Sequence, residues 1–299
     1  MAPFLSSGTA GSVTSSGLPE AARTALTGVG VPPEALVPGS FAGPRRPLRR
    51  FLGDGVVVEV ATGEAGRLRL RRELWGRSWA RQVGIPTVPV LDADPDGAWL
   101  IAEWWKPSPP TGERFLDDVL AAALRIAGSP PPEPGPPPAV WVSDRRAAPI
   151  RLARGVLGGV PTRSWLAARR AAAALPTVPV AHGDFYHRNA LWCPERGGLH
   201  VVDWEYLGPG PRYGDLVRLW TLLPSRTDRD SLLGRILTLA PPAEHQEIGT
   251  LARYLALRLL GENVKGRRRD RHHADVAHAR SIQPEARDLH KALSCRTSP

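Results

Sequence analysis

The stretch Ala181-His-Gly-Asp-Phe-Tyr-His-Arg-Asn-Ala-Leu-Trp192, then Cys-Pro-Glu-Arg-Gly-Gly, then Leu199-His-Val-Val-Asp-Trp-Glu-Tyr206, decides how the rest of the chain is read. Two short apolar runs, Asn189 to Trp192 and Leu199 to Val202, flank a turn rich in Pro and Gly, which predicts a β-hairpin. Asp184 falls in the loop ahead of the first strand, Asn189 at its start, and Asp203 just past the end of the second. A tight hairpin brings its open ends together, so these three oxygen-bearing side chains are expected to converge. A carboxylate beside an amide oxygen suits a hard cation such as Mg²⁺, which takes oxygen ligands, commonly one or two protein carboxylates plus phosphates. A second carboxylate left off the ion is a natural acceptor for a hydroxyl proton.

The order His182-Gly183-Asp184, Asn189, Asp203-Trp204-Glu205 resembles the catalytic segment of the aminoglycoside phosphotransferase and choline kinase family, a protein-kinase-like group. Tyr206-Leu-Gly-Pro-Gly-Pro-Arg-Tyr-Gly-Asp-Leu216 continues the likeness with a Gly/Pro turn followed by Asp-Leu. The resemblance is closest over Ala181 to Trp220, looser over Val56 to Trp105 and faint elsewhere. It implies an α+β, bilobal protein-kinase-like fold. A small β-rich N-lobe over residues 1–104 would bind nucleotide; a larger helical C-lobe over residues 105–299 would carry the catalytic loop, metal site and acceptor pocket. The implied cofactors are Mg²⁺ and ATP, with GTP as the other candidate nucleotide. The implied reaction moves the γ-phosphate to a hydroxyl of a small polar metabolite, foremost an aminoglycoside or related antibiotic, in resistance or biosynthesis. Choline, homoserine or another sugar are alternative acceptors. In this reading Asp184 is catalytic, Asn189 and Asp203 hold the metal, and Asp215 accepts backbone N–H bonds from the catalytic loop. His182 is expected to pack beneath that loop. Arg188 would touch a phosphate or pair with an acid. The set His182, Asp184, His187 and Asp203 could also be read as a Zn²⁺ site, but no second-helix His spacing or Cys pair accompanies it.

One family element is broken. Two strands are predicted at Leu48 to Leu52 and Val56 to Val60, preceded by Gly39-Ser40-Phe-Ala-Gly43, a glycine-bearing loop placed to cover nucleotide phosphates. Where the family carries a lysine reaching the α- and β-phosphates, the aligned residue is Glu59. A helix predicted over Ala65 to Val83 would bring Glu73 to face it, and two carboxylates beside a triphosphate are unfavourable without a cation between them. If Gly53 and Asp54 form the turn, Arg50 shares a face with Val57 and Glu59 and can supply the cation. Ser40, Arg50, Glu103 and Trp105 are thus the candidate nucleotide contacts, the last two from the segment after a second hairpin around Asp94-Pro-Asp-Gly97. The loss of the lysine also raises a competing class, a kinase-like binding protein without turnover.

With 42% hydrophobic residues and no long uncharged apolar run, the sequence reads as a soluble globular protein with no membrane partner. Met1 to Gly17 lacks the basic and apolar parts of a secretory signal, and two cysteines make no disulfide framework, so a reducing cytoplasm is expected. The net charge of +10 is partly local, with clusters at Arg45/46/49/50, Arg67/69/71/72 and Arg267/268/269/271. No aromatic residues interleave the last cluster, which favours a solvated face over a nucleic-acid partner. Helices are expected at Leu18 to Leu26, Leu116 to Ile126, Ser164 to Ala174, Leu232 to Leu239 and Glu244 to Leu260, and in the polar tail from Arg267. Ser129 to Pro138 should be an extended surface segment. Asp228, Asp230, Glu244 and Glu262 are acceptor-pocket candidates by location alone.

Overall fold

The computed structural model describes residues 17–39, 47–135, 148–157, 159–263 and 273–295. Two compact units emerge, Met1–Leu74 with Val88–Lys106, and Trp75–Thr87 with Pro107–Pro299. Among the described residues no helix is long and apolar enough to cross a membrane.

The first unit contains helix α1 (Glu20–Gly28), strands β1 (Val37–Pro38), β2 (Leu48–Gly53) and β3 (Val56–Ala61), the first part of helix α2 (Glu64–Gln82), and strands β4 (Val90–Ala93) and β5 (Trp99–Glu103). The strands form one antiparallel sheet in the order β1-β2-β3-β5-β4. Alternation along β3 gives the sheet two apolar faces. Val56, Val58 and Val60 join Phe51, Trp99 and Ile101 against Leu18, Ala22 and Leu26. On the other face Val57 and Ala61 join Leu48, Leu100 and Ala102 beside Leu70 of α2.

The β2–β3 turn falls one residue later than the sequence suggests. Gly53 stays in the ladder opposite Val56, and Asp54 and Gly55 make the turn with φ of 50° and 73°. Both central positions of this hairpin turn need positive φ, which Asp-Gly accepts readily. Gly53 is held in the strand by space, because a Cβ there would lie 2.6 Å from the Ala35 carbonyl oxygen. The shifted register sets Arg50 directly opposite Glu59.

In the second unit, helix α3 (Glu113–Gly128) buries Phe115, Leu116, Val119, Ala123 and Ile126, the spacing of a one-faced helix. It is followed by α4 (Ala148–Leu157), α5 (Thr162–Ala173), β6 (Thr177–Ala181), β7 (Ala190–Cys193), β8 (Gly198–Val201) and β9 (Gly208–Pro211). Four more helices complete it: α6 (Gly214–Leu222), α7 (Arg226–Leu239), α8 (His245–Asn263) and α9 (His273–Cys295). One continuous core runs from Trp79 and Ile85 through Phe185, Trp204 and Trp220 to Ile282 and Leu293. Three elements here escape the sequence reading, among them helix α6, which follows the Gly/Pro run. Helix α4 follows the Pro-rich segment without a clear start signal. The Gly-Pro-Gly-Pro run is not merely a turn but strand β9, paired with β6, where a Cβ on Gly210 would come within 2.7 Å of the Ala181 Cβ.

The described part of the Pro-rich segment, residues 129–135, is anchored on α2. Trp75 and Trp79, on the last turns of α2, donate their indole N–H groups to the carbonyls of Glu133 (3.2 Å) and Pro130 (3.0 Å). On the same stretch Gly76 meets Trp204 so closely that a Cβ would lie 2.5 Å from the Trp204 Cβ.

Candidate active site

Strands β7 and β8 pair antiparallel from Ala190↔Val201 to Cys193↔Gly198, so the chain entering β7 and the chain leaving β8 lie side by side. The Val202 N–H donates to the Asn189 carbonyl at 2.9 Å and extends that pairing by one step, so Val202 stands opposite Asn189 and Asp203 follows one residue beyond. Asn189 in turn donates its side-chain amide to the Asp184 carbonyl (2.9 Å) and, at 3.4 Å, to Asp184 Oδ2. The Asn189 amide nitrogen is thus committed to Asp184, which leaves its Oδ1 as the atom of that side chain suited to a cation. Tyr186, on the loop between them, senses both acids. Burial first, then the charges of Asp184 and Asp203, push its phenol up to about 12. Asp184 and Asn189 are thus in contact, and Asp203 lies close enough for its charge to reach the same Tyr186 phenol as that of Asp184.

The loop is held from beneath by buried groups. Asp215, at the start of α6, accepts the backbone N–H of His182 (2.7 Å) and of Gly183 (3.0 Å), and burial pushes its carboxyl up. His182 is fully buried, with its ring 4.7 Å from Trp204 and 5.7 Å from Phe185. Its Nδ1 accepts from the Asp184 N–H (3.3 Å) while Nε2 faces the Val202 carbonyl (3.0 Å), a pattern that calls for the Nε2–H tautomer. Both ring nitrogens are thereby used within the protein, which leaves His182 no nitrogen to offer a metal. Among the described residues no group of three or more His, Cys, Asp or Glu side chains is placed to hold a metal. Gly183 supplies φ of 80° where a side chain would strike the Tyr206 carbonyl at 2.7 Å.

Asp203 is the local exception to easy geometry. Its φ of 66° and ψ of 54° are left-handed, and Asp54 is the other described non-glycine residue with positive φ. Such a conformation costs an L-residue roughly 1–2 kcal/mol and persists only where neighbours enforce it. Here the enforcing neighbour is Trp204, fully buried, its indole N–H on the Val201 carbonyl (3.0 Å) and its ring edge-on to Trp79.

Arg218 is the site residue that sequence reasoning missed. It lies one turn after Asp215 on a helix buried on nearly every side, and it donates Nε (2.8 Å) and Nη2 (2.7 Å) to Asp184 Oδ1. A lone cation inside Leu-Val-Arg-Leu-Trp was the available signal, since a buried charge needs a partner.

In the first unit, Arg50 donates Nε to Glu59 Oε1 at 2.8 Å, with a second, short contact from Nη2. Glu59 and Glu73 are both buried. No lysine precedes Lys106, so the strands of this unit and α2 carry only arginines as cationic side chains. Glu103 and Trp105 bond to each other, indole N–H to carboxylate at 2.6 Å, and the Glu103 backbone N–H donates to the Pro89 carbonyl (3.1 Å). Ser40 lies outside the described residues, as do Arg45, Arg46 and the Arg267–271 cluster.

Residues 56–260 match the model of the phosphotransferase enzyme family, APH. A comparison with curated protein sequences finds no match. Among solved structures, amicoumacin kinase hAmiN in complex with AMP-PNP, Ca²⁺ and Ami is similar at TM-score 0.58 and 12% identity, covering 86% of this chain and 89% of that one. Choline kinase LicA from Streptococcus pneumoniae gives TM-score 0.55 at 11% identity over 91% and 98%. A choline/ethanolamine kinase family protein from Mesorhizobium loti gives 0.52 at 18% identity over 93% and 97%.

Proposed function

Because the chain belongs to the phosphotransferase enzyme family, whose members are kinases of small molecules, we propose that it transfers the γ-phosphoryl group of ATP to a hydroxyl of a small polar metabolite. What supports this reading most is that the Asn189 amide bonds to Asp184 while Asp203 follows the paired end of the same hairpin, with the charges of both acids reaching Tyr186. Asp184 takes up the hydroxyl proton as the acceptor oxygen bonds to the γ-phosphorus. The bond from that phosphorus to the β–γ bridging oxygen breaks, and ADP leaves. The Asp203 carboxylate and the Asn189 amide oxygen fit a divalent ion of the Mg²⁺ type, hard oxygen donors with room for phosphate oxygens. Such an ion, when bound, neutralises charge on the phosphate oxygens. Asp215 and His182 hold the loop and take no part in proton transfer.

Arg50 supplies the cation for the α- and β-phosphates that a strand lysine gives other members, steadied by its pair with Glu59. Because the Glu103 N–H already serves Pro89, a purine contact there falls to the Glu103 carbonyl or the Trp105 backbone. The family suggests aminoglycosides or related antibiotics as the first acceptors to test, with choline, homoserine and sugars sharing the same reaction. The cytoplasm, where Mg²⁺-ATP is abundant and cysteines stay reduced, is the fitting compartment.

The test is Mg²⁺-dependent ADP release across a panel of small alcohols and aminoglycosides, with Asp184→Asn alongside. We expect acceptor-dependent turnover that falls by roughly 10²–10⁴-fold in Asp184→Asn, the range for a positioned general base. Equal rates in the two proteins would overturn the assignment. Glu59 in place of a lysine favours a second reading, a binding protein that kept the fold and lost turnover. A nucleotide-induced rise in melting temperature without ADP release from any acceptor would support it.

A further inference from the structure

The Arg218 side chain is 8% exposed and that of Asp184 19%, so the pair is largely shielded from water. The guanidinium also lies 5.9 Å from the centre of the Tyr186 ring, which confines it beside the loop. A carboxylate that meets the acceptor hydroxyl would, standing alone, also attract any ammonium group close to that hydroxyl. At an effective dielectric of about 20, that attraction across about 5 Å is roughly 3 kcal/mol, worth roughly 250-fold in affinity. A guanidinium bonded to the same carboxylate cancels most of it.

We propose that Arg218 is a specificity residue that turns the acceptor site away from cations, so that the preferred substrate is a neutral or acidic hydroxyl compound, such as a sugar, polyol or hydroxy acid. The inference rests on the phosphoryl-transfer reading, and it moves aminoglycosides and amino alcohols behind neutral sugars among the acceptors named above. The surrounding charges agree. Glu244, a candidate for gripping a cationic acceptor, is engaged by Arg212 and by the Tyr213 hydroxyl. Asp230 faces Arg226 across one helical turn at 3.7 Å. Glu285 is held by the buried Arg229 at 2.9 Å, and Glu113 and Asp117 by Arg235. Two of the acceptor-pocket candidates, Glu244 and Asp230, are thereby compensated, whereas no ion pair engages Asp228 among the described residues.

The experiment compares acceptors that differ in one group: glucose, glucosamine and gluconate, and ethylene glycol, ethanolamine and glycolate, with kanamycin as a polycation. The full-length protein is assayed for Mg²⁺-ATP-dependent phosphorylation, and kcat/KM is measured for each. We expect the neutral or acidic member of a set to exceed the amine by at least about tenfold. In Arg218→Met the amine-to-neutral ratio should rise at least about tenfold, with the KM for ATP unchanged, a selective shift that general loss of structure would not produce. Should that variant fail to fold, Arg218→Gln keeps an N–H donor for Asp184, and the wild-type ranking decides the sign by itself. Preference of the wild type for amines, or an unchanged ratio in an active Arg218 variant, overturns this inference while leaving phosphoryl transfer intact. If no acceptor is phosphorylated and Asp184→Asn behaves like wild type, the underlying reading fails and this inference fails with it.

Discussion

The same substitution, glycine to alanine inside a helix, should have opposite effects at Gly76 and Gly234. Alanine is favoured over glycine in a helix interior by about 0.8–1 kcal/mol. Gly234, in α7, is exposed and has no atom within 4 Å of an added Cβ, so Gly234→Ala should realise most of that gain. Gly76, in α2, is buried, and its Cβ would lie 2.5 Å from the Trp204 Cβ and 3.1 Å from the Trp204 carbonyl oxygen. Comfortable carbon contacts begin near about 3.5 Å, so one side must yield by about 1 Å. Trp204 cannot retreat easily, because Trp79, His182 and the Val201 carbonyl hold it on three sides. Overpacking of this kind costs about 1–3 kcal/mol, which outweighs the helix gain and leaves a net loss of about 1 kcal/mol. Melting temperature should therefore drop by roughly 1–2 °C in Gly76→Ala, for a chain of 299 residues, and rise slightly in Gly234→Ala. Turnover should separate them further. A shift of about 1 Å passed from Trp204 to Asp203 can cost roughly 100-fold in rate, whereas Gly234→Ala should be neutral. Differential scanning calorimetry and ADP-release kinetics on both variants decide the matter. If Gly76→Ala matches Gly234→Ala in both assays, the claim that this contact fixes Asp203 is wrong.

Other consequences are equally open to measurement. Asp215→Leu removes the acceptor for the His182 and Gly183 N–H groups, each worth about 1–3 kcal/mol when left unsatisfied, so urea midpoints should rank wild type above Asp215→Asn above Asp215→Leu. Burial pushes His290 below its ordinary 6.5, with Arg253 adding to the effect, and its Nδ1 is buried without a hydrogen-bond partner. The neutral ring is thus the folded form. Its contribution is complete above pH 6.5 and is lost as pH falls through the lower folded value, so His290→Leu should flatten the decline of melting temperature between about pH 7 and 5. Trp79→Phe loses the bond to Pro130 and about 1 kcal/mol with it, and limited proteolysis within residues 129–135 should accelerate.

Much of this site could be read from order and spacing. His182-Gly183-Asp184, Asn189 and Asp203 lie on a hairpin whose two apolar runs and Pro/Gly turn are local signals, and local signals survive folding. The Asp215 role followed from the same short segment. What escaped depends on distant chain. Strand β9 hid inside a Gly/Pro run because its pairing with β6 is set by how little room Ala181 leaves. The β2–β3 register moved by one residue because Ala35, many positions earlier, crowds Gly53. Arg218 acquires its meaning only when α6 is wrapped on nearly all sides and Asp184 is brought against it. Gly76 reads as a weak spot in a helix until Trp204 is seen against it.

The left-handed Asp203 has a consequence for how this protein would respond to selection. Glycine occupies that backbone conformation without the cost borne by aspartate, so a library screened for heat resistance alone should enrich Asp203→Gly. Every such survivor would have surrendered a carboxylate at the hairpin mouth. Under the proposed metal role of Asp203, durability and turnover make opposite demands at this one position.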